Sequence, residues 1–228
     1  MSPTIISIEG NIGSGKSTLV TSLKQHFTNW LPISFVDEPV QVWSNIKDTD
    51  GESILEKFYA DQKSYSFSFQ MMAYISRVSA LREAVRNNPD GIIITERSVQ
   101  TDRNVFAKML YDQGQIREVD YQIYLKWFDE FSSDLPINGI VYVNTSPETC
   151  EARVIKRARE GEAIPLAYLQ QCSNYHHNWI VNFETDRVCE LDGNQNIHQD
   201  PMVMSQWLAK ISSFIGTDQI NTTISSIG

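Results

Sequence analysis

Apolar residues in this chain form short, nearly continuous runs that are separated by longer stretches with helical spacing. Five of these runs predict buried β-strands, at residues 5–8, 33–36, 92–95, 140–144 and 187–191. Between the runs, apolar residues recur at the spacing of one helix face, as at Val20, Leu23 and Phe27. Strands that alternate with helices predict an α/β fold in which helices cover both faces of a parallel sheet.

Residues that start or break helices place several boundaries. A long helix is predicted from about residue 66 to about residue 86, because a cluster of helix-breaking residues follows at 87–91. Ser146 and the proline after it have the chemistry of an N-cap and a first helical turn. They predict a second well-defined helix that ends near Arg159.

Length and composition predict one soluble domain over residues 1–216, followed by a polar, disordered tail at 217–228. The formal net charge of −9 disfavours general binding to nucleic acid or to an anionic membrane surface. No apolar run approaches the ~18 residues that a membrane span requires. Little sequence precedes the first strand, so we expect a cytoplasmic protein without a targeting segment. Its three well-separated cysteines are expected to be reduced thiols.

The stretch at residues 10–17, "GNIGSGKS", fits the pattern G-x-x-x-x-G-K-[ST] between a predicted strand and a predicted helix. Glycines let backbone N–H groups curl round an anion, and the helix N-terminus adds its positive dipole end. Lys16 can then reach the β- and γ-phosphates, and the Ser17 hydroxyl can ligate Mg²⁺. The alternative, a glycine-rich turn with a chance lysine, is disfavoured by this context. The pattern predicts a nucleoside triphosphate site but leaves the phosphoryl acceptor open.

Acidic residues follow two of the predicted strands at the end where the ligand crevice of a parallel sheet forms. Asp37 and Glu38 follow the second strand, and Glu96 closes the third with Arg97 beside it. One carboxylate could accept a hydroxyl proton and another could lie near Mg²⁺, with Arg97 as counter-charge to the transferring group. Two structural alternatives stay open: Glu38 as a turn residue before a proline, and Glu96–Arg97 as a surface ion pair.

One face of the long predicted helix carries polar residues that need partners if they are buried. Gln70, Ala73 and Arg77 share this face, and Phe69 is next to it. A glutamine amide has both the donor and the acceptor that recognition of a base edge requires. The alternative is a structural ion pair between Arg77 and Asp102, with Gln70 in solvent.

Six stretches, in order "ISIEGNIGSGKST", "DEPVQVW", "YSFSFQ", "ERSVQTDRNVFAK", "PETCEARVIKRARE" and "IPLAYL", extend from residue 6 to residue 169. Together they resemble the deoxynucleoside kinases of the deoxycytidine, deoxyguanosine and mitochondrial thymidine kinase type. The resemblance implies a P-loop NTPase fold with a five-stranded parallel sheet of order 2-3-1-4-5, an arginine-rich lid and a homodimer. It also implies Mg²⁺-dependent transfer of the γ-phosphoryl of ATP, or of another triphosphate, to the 5′-hydroxyl of a deoxynucleoside in nucleotide salvage.

The resemblance assigns roles to matched positions. It makes Glu38 the general base, Arg97 the arginine near the 5′ end and the phosphates, and Glu96 a magnesium-associated carboxylate beside Ser17. The phosphate-binding positions are Gly10, Asn11, Gly13, Ser14, Gly15, Lys16, Ser17 and Thr18 of the loop, with Arg153, Arg157 and Arg159 of the lid. The nucleoside-binding positions are Ile12, Trp43, Phe58, Tyr59, Phe69, Gln70, Ala73, Arg77, Asp102, Phe106 and Glu162, in addition to Glu38 and Arg97.

Arg77 and Asp102 also bear on which base is accepted. In the family this pair marks enzymes that take deoxycytidine or purine deoxynucleosides, whereas thymidine-type members have apolar residues at both positions. Asp102 can accept a hydrogen bond from an exocyclic amino group, which thymine lacks. We therefore expect deoxycytidine, deoxyadenosine or deoxyguanosine to be preferred over thymidine, in an order that the sequence leaves open.

Three other functions compete with this prediction. A nucleoside monophosphate kinase of the thymidylate type would need basic residues to hold the acceptor phosphate. A GTPase-like switch would need a guanine-reading N-K-x-D segment, which the sequence lacks. A catalytically silent structural relative would not need Lys16, Ser17, Glu38, Glu96 and Arg97 together.

Overall fold

The predicted α/β architecture is confirmed in a computed structural model, which describes residues 3–28, 32–158, 164–197 and 200–216. Its sheet consists of the strands β1 (Thr4–Glu9), β2 (Ile33–Val36), β3 (Ile92–Glu96), β4 (Gly139–Asn144) and β5 (Val188–Asp192). All paired strands are parallel, and their order is β2-β3-β1-β4-β5. The five predicted strands and their predicted order are thus confirmed, with boundaries that differ by one residue at most.

Side chains on alternating strand positions build one core on each face of the sheet. Ile6 and Ile8 pack in a cluster with Leu23 of the helix α1 (Lys16–His26). Ile5 points to the other face, where it packs in a cluster with Tyr74. This period of two along β1 is what a strand covered on both sides requires.

Two short helices and one long helix follow β2 and lead to β3. They are α2 (Val40–Asn45), α3 (Ile54–Ala60) and α4 (Gln62–Asn87). The predicted long helix exists, but it begins at Gln62 rather than at about Ser66. The Asp61 carboxylate accepts a hydrogen bond from the Ser64 backbone N–H and so caps the earlier start.

A continuous helical stretch follows β3 and contains a π-helical segment. It consists of α5 (Val99–Thr101), the π-helical residues Asp102–Ala107, and α6 (Lys108–Asp112). A π-helical turn inserts an extra residue into the helix and turns the side chains after it. The segment carries both Asp102 and Phe106, so it decides where these two side chains point.

The remaining helices are α7 (Glu118–Phe131), α8 (Pro147–Arg157), α9 (Leu166–Ile180) and α10 (Pro201–Phe214). Ser146 caps α8 by accepting a hydrogen bond from the Thr149 backbone N–H, as its chemistry predicted. Helix α8 ends at Arg157, because Ala158 adopts a left-handed conformation with φ 48°. The helix is therefore shorter than predicted. The predicted disordered tail at 217–228 lies outside the described residues.

Within the described ranges, no helix is both long and apolar enough to cross a membrane. The three cysteines, Cys150, Cys172 and Cys189, are buried free thiols, as expected.

Candidate active site

The loop at residues 10–17, predicted to bind phosphate and called the phosphate loop below, joins β1 to α1 and is fixed by glycines and by one asparagine. Gly10 and Gly13 have φ values of 145° and 81°, and a Cβ atom on either would come within 2.6 Å of a backbone oxygen. Any other residue would therefore be strained at these positions. The Asn11 amide donates to the Leu169 carbonyl at 2.8 Å and accepts from the Ile12 N–H at 2.8 Å. These bonds hold the loop against α9.

Lys16 lies inside this loop and is only 5% exposed. Its ammonium group donates to the Asn11 carbonyl at 2.6 Å and contacts the Ser14 hydroxyl at 3.5 Å. Burial, together with the nearby guanidinium of Arg97, lowers the pKa of the Lys16 ammonium from 10.5 to about 8. An anionic phosphate beside Lys16 would stabilise its charged ammonium form.

Ser17 and Glu96 bring two oxygen ligands together at the end of the sheet. The Ser17 hydroxyl donates to the Glu96 carboxylate at 2.6 Å. Hydroxyl and carboxylate oxygens are the donors that Mg²⁺ prefers, and Mg²⁺ in phosphoryl-transfer sites needs only one or two protein carboxylates besides water and phosphate. The residues present therefore fit a magnesium ion that arrives with a nucleotide.

Glu38 follows β2 and faces two arginines, so it is not simply a turn residue. Its Oε1 lies 3.1 Å from Arg97 Nε and 3.4 Å from Arg77 Nη2. Burial alone would raise the pKa of the Glu38 carboxyl, but the two guanidinium groups and the Lys16 ammonium together hold it below its ordinary value of 4.5. Glu38 is therefore a carboxylate at neutral pH.

Arg77 links three acidic positions from the middle of α4. Its Nε donates to Asp102 Oδ2 at 2.9 Å, and its Nη1 donates to the Glu96 carbonyl at 2.8 Å. Arg77 is 1% exposed and Asp102 is 2% exposed. The carboxylates of Asp102 and Glu38 more than offset burial and raise the pKa of Arg77 above its ordinary value. The ion pair that the sequence offered as an alternative does form.

Gln70 is 2% exposed, which rules out the other part of that alternative, a glutamine in solvent. Its Oε1 is buried and has no hydrogen-bond partner among the described residues. A buried amide oxygen without a partner is costly, and it marks a place where a ligand donor would be stabilising.

Aromatic side chains line the same cavity as Gln70 and give this end of the site its apolar character. Phe69 stacks on Phe58 with ring centroids 4.6 Å apart, and Trp43 meets Phe69 edge to face at 5.5 Å. The Trp43 indole N–H donates to the Ser76 hydroxyl at 2.9 Å, which fixes the orientation of the ring. These contacts form an aromatic compartment, and aromatic walls suit a planar, mostly apolar group.

The phosphate loop and the aromatic compartment open into one continuous cavity of about 970 Å³. Nearly all of the predicted site residues line it, and they are Ile12, Gly13, Ser14, Gly15, Lys16, Ser17, Thr18, Glu38, Trp43, Phe58, Tyr59, Phe69, Gln70, Ala73, Arg77, Glu96, Arg97, Asp102, Phe106, Arg153 and Arg157. Gly10 and Asn11 do not line the cavity; they support the loop from behind. Arg159 and Glu162 lie outside the described residues. The volume is ample for a nucleotide and a second small molecule.

Helix α8, which carries two arginines of the expected lid, is joined to the phosphate loop by a direct contact. Arg153 Nη1 donates to the Ser14 carbonyl at 3.1 Å, and Arg153 Nη2 lies 3.5 Å from the Gln195 carbonyl. Arg157 lines the same cavity one turn later. Two basic side chains thus approach the phosphate loop in a protein whose net charge is negative.

Several residues at the site were not among the predicted set. Further lining positions are Leu55, Glu148, Thr149, Ala152, Lys156, Tyr168, Gly193, Asn194, Gln195, Asn196, Ile197 and Trp207. Lys156 had a signal in the sequence, since it belongs to the same basic cluster as Arg153 and Arg157. The stretch "LDGNQN" at residues 191–196, which is expected beside the donor base, supplies four more of these lining positions. The others come from segments that only the tertiary fold brings to the cavity.

Arg97 was predicted, but its contacts with Phe106 and with His176 were not. It adopts a left-handed conformation with φ 62°, and its guanidinium lies 4.9 Å from the centre of the Phe106 ring. Arg97 Nη1 is 3.3 Å from the Nε2 atom of the buried His176. The pair Glu96–Arg97 is therefore part of the cavity, and the surface ion pair that the sequence allowed does not occur.

Comparison with known proteins agrees with this geometry. A family model described as deoxynucleoside kinase matches residues 6–216. Over 240 aligned residues the chain is 32% identical to deoxycytidine kinase 2 of Gallus gallus, covering 92% of this chain and 89% of the relative. Deoxycytidine kinase of Homo sapiens is 35% identical over 198 residues, which cover 78% of this chain and 75% of the relative. Mitochondrial deoxyguanosine kinase of Xenopus laevis is 34% identical over 200 residues, which cover 79% of this chain and 74% of the relative.

The matched region contains both the phosphate loop and the aromatic compartment, and each relative is matched over most of its length. The chain therefore belongs to the deoxynucleoside kinase family, whose members transfer a phosphoryl group to a deoxynucleoside in nucleotide salvage.

Proposed function

We propose that this enzyme transfers the γ-phosphoryl of ATP, or of another nucleoside triphosphate, to the 5′-hydroxyl of a deoxynucleoside. We further propose that it prefers deoxycytidine or purine deoxynucleosides over thymidine. The observation that carries the proposal is the single cavity that joins a phosphate loop to a buried aromatic compartment. A donor phosphate and an acceptor hydroxyl can be held in one such space, which is the positioning that phosphoryl transfer depends on.

In this proposal the donor phosphates lie in the loop at residues 10–17 and beneath the lid arginines. Lys16, Arg153 and Arg157 supply positive charge, and Arg159 is assigned to the same role by the family resemblance alone. Ser17 and Glu96 would hold Mg²⁺, which in such reactions neutralises charge on the phosphates. These residues chiefly position the triphosphate and stabilise its charge.

At the acceptor end, Glu38 takes the proton of the 5′-hydroxyl. Its carboxyl is ionised at neutral pH because Arg97 and Arg77 lie beside it. Arg97, which contacts Glu38 and lies near Lys16 of the phosphate loop, would then stabilise charge on the transferring group. Tyr59 lines the same cavity and, with Glu162, is proposed to bind the deoxyribose 3′-hydroxyl.

The base would lie in the aromatic compartment between Phe69 and Phe106, with its edge toward Gln70 and Asp102. The unpartnered Gln70 Oε1 supports this placement, because a base N–H or amino group would satisfy it. Arg77 contacts Oδ2 of Asp102, and we assign Oδ1 to an exocyclic amino group. Thymine has no such group, and a buried carboxylate without that partner would cost binding energy.

The contacts of Arg77 also disfavour a monophosphate kinase. An acceptor monophosphate would need a cation near its phosphate, and Arg77 is already contacted by Asp102 and Glu38. A silent structural role is disfavoured because Lys16, Glu38 and Arg97 meet in one cavity, where the pKa of Lys16 and the pKa of Glu38 leave an ammonium and a carboxylate at neutral pH.

We also infer a single domain over residues 1–216, a cytoplasmic location and a homodimer. The family match to residues 6–216 supports the domain limits. Support for the homodimer comes from an apolar surface on α4 and α7, where Ile75, Val119, Ile123, Trp127 and Phe131 are all more than one-third exposed. Apolar side chains grouped in this way on a soluble protein are typical of an interface.

A phosphate-transfer assay tests the reaction itself. The protein is incubated with ATP and Mg²⁺ and, in separate vessels, with each of the four deoxynucleosides and each of the four deoxynucleoside monophosphates. We expect monophosphates to form from nucleosides and no diphosphates to form from monophosphates. Diphosphate formation alone would make the protein a monophosphate kinase, and the absence of any transfer would support a structural role.

A further inference from the structure

His176 on α9 is a buried histidine that contacts the site without lining the cavity. It is completely buried, and its Nδ1 lies 2.7 Å from the Cys172 carbonyl, one turn earlier in the same helix. Its Nε2 lies 3.3 Å from Arg97 Nη1. The imidazole therefore joins a helix backbone to a guanidinium that the proposed reaction uses.

The two contacts determine which nitrogen carries the proton. A carbonyl oxygen only accepts and a guanidinium nitrogen only donates, so Nδ1 must bear the hydrogen and Nε2 must be the acceptor. A second proton on His176 would set an N–H against the N–H of Arg97. Burial and the positive charge of Arg97 lower the pKa of His176 well below its ordinary value. His176 is thus a neutral, fixed acceptor.

Arg97 is held on three sides, and His176 supplies one of them. Glu38 accepts from Arg97 Nε at 3.1 Å, and the Phe106 ring lies against the guanidinium at 4.9 Å. His176 contacts Nη1 and also meets the edge of the Phe106 ring at 6.1 Å. The backbone of Arg97 is itself in an uncommon left-handed conformation, a strain that the surrounding structure must maintain.

We propose that His176 is a positioning residue for phosphoryl transfer: it accepts from Arg97 Nη1 and so aims the guanidinium between Glu38 and the phosphate loop. His176 does not touch the substrate, so it takes no part in proton transfer. Its effect is on the orientation of a charge that stabilises the transition state, and such an orientation governs turnover more than substrate binding. This inference rests on the proposed function, because that function gives Arg97 its role.

Two amide substitutions at His176 distinguish its contact with the Cys172 carbonyl from its contact with Arg97. Asparagine places its amide at the position of Nδ1 and can keep the bond to the Cys172 carbonyl, but it does not reach Arg97. Glutamine reaches the position of Nε2 and can present its carbonyl oxygen to Arg97. His177, the next residue and an exposed one, provides the matched control as His177→Asn.

Steady-state kinetics with ATP and the best deoxynucleoside, together with thermal unfolding, test the proposal. We expect His176→Asn to lower kcat by about 10- to 100-fold, the value of one hydrogen bond to a charged group. KM should change by no more than about threefold, as for an interaction made mainly in the transition state. His176→Gln and His177→Asn should keep kcat within about threefold of the unsubstituted enzyme.

The proposal is overturned if His176→Asn keeps the kcat of His176→Gln. It is also overturned if both variants lose kcat equally with equal falls in thermal midpoint, which would indicate a structural role. If His176→Asn does not fold, His176→Met replaces it, because methionine matches glutamine in length but is a weak acceptor. A kcat for His176→Met equal to that of His176→Gln contradicts the proposal. Failure of the unsubstituted protein to phosphorylate any deoxynucleoside would instead refute the proposed function.

Discussion

Asp37 and Glu38 are neighbours in sequence, yet the fold gives their carboxylates different chemistry. The Asp37 side chain is 63% exposed and forms a surface ion pair with Lys24 at 2.6 Å. The Glu38 side chain is 23% exposed and faces Arg97 and Arg77. Exposed pairs contribute little, because water and salt screen them, whereas a charge held among partners in a cavity keeps its effect.

This difference predicts opposite outcomes for two matched substitutions. Glu38→Gln removes the proposed general base with little change in size, so we expect kcat to fall by about 10²- to 10⁴-fold. Asp37→Asn removes an equal charge one residue away and should leave kcat within about twofold, since its ion pair is screened. Steady-state transfer assays on the two variants make the comparison. Equal activities for the two would show that Glu38 does not take the proton.

Lys16 predicts a pH dependence of nucleotide binding. Its pKa of about 8 in the free enzyme should rise when phosphates come close, because negative charge favours the ammonium form. Below about pH 8 Lys16 is already protonated and affinity should be flat. Above that value binding must take up a proton, so affinity should fall by up to about tenfold per pH unit until the bound-state pKa is reached.

Titration calorimetry of ATP and Mg²⁺ between about pH 7 and pH 9.5, in two buffers of different ionisation heat, measures both the affinity and the proton uptake. In Lys16→Arg, whose guanidinium stays charged throughout, any remaining binding should lose this dependence. If the affinity of the unsubstituted enzyme for ATP stayed constant across the whole pH range, the pKa of Lys16 would not change on nucleotide binding, contrary to this prediction.

At the scale of elements, a buried carboxylate joins the end of β1 to the start of α5. Glu9 is completely buried and accepts hydrogen bonds from the hydroxyls of Ser7 at 2.5 Å, Ser98 at 2.8 Å and Thr101 at 2.5 Å. Two of these hydroxyls lie in the segment that follows Arg97 directly. Glu9 therefore secures the strand-to-helix connection on which Arg97 is placed.

Removal of this carboxylate should be costly. Glu9→Ala leaves three buried hydroxyls without their acceptor, and we expect the free energy of unfolding to fall by about 2–4 kcal/mol. Glu83→Ala, an exposed position on α4, should change it by no more than about 0.5 kcal/mol. Urea unfolding of both variants gives the comparison. A difference below about 1 kcal/mol between them would show that the hydroxyls find other partners.

The helices and strands differ in how well the sequence predicted them. The strands were predicted because each is a compact apolar run between helical stretches. Helix α7 (Glu118–Phe131) was not predicted from the sequence. Its apolar residues include exposed ones such as Trp127 as well as buried ones such as Tyr124, so their spacing does not mark a single buried face. The π-helical segment Asp102–Ala107 departs from the spacing on which helix prediction relies.

At the scale of the molecule, the site combines segments that are far apart in sequence. Strand ends and the loop motif predicted Lys16, Glu38 and Arg97 from local pattern. The aromatic compartment and the lid came from resemblance, because no local rule places Phe106 near Arg97. His176 and Glu9 were not predicted at all, since a buried histidine or glutamate is identified only by its tertiary partners.

The apolar surface on α4 and α7 predicts the state of association. Sedimentation should give about twice the chain mass of 26.1 kDa. Trp127→Glu places a charge in the middle of this surface and should shift the protein to monomers, because burial of an unpaired charge is unfavourable. Ile155→Glu, at an exposed apolar position on α8, should remain dimeric. A monomeric unsubstituted protein, or a dimeric Trp127→Glu variant, would argue against this interface.

The central claim is that one cavity phosphorylates a deoxynucleoside whose base carries an amino group. A competition assay tests it directly: equal concentrations of deoxycytidine, deoxyadenosine, deoxyguanosine and thymidine share one vessel with the enzyme, ATP and Mg²⁺. The initial ratio of the four monophosphates equals the ratio of their kcat/KM values. We expect the monophosphate of deoxycytidine or of a purine deoxynucleoside to predominate, with thymidylate well below it. Thymidylate as the main product would contradict the role assigned to Arg77 and Asp102.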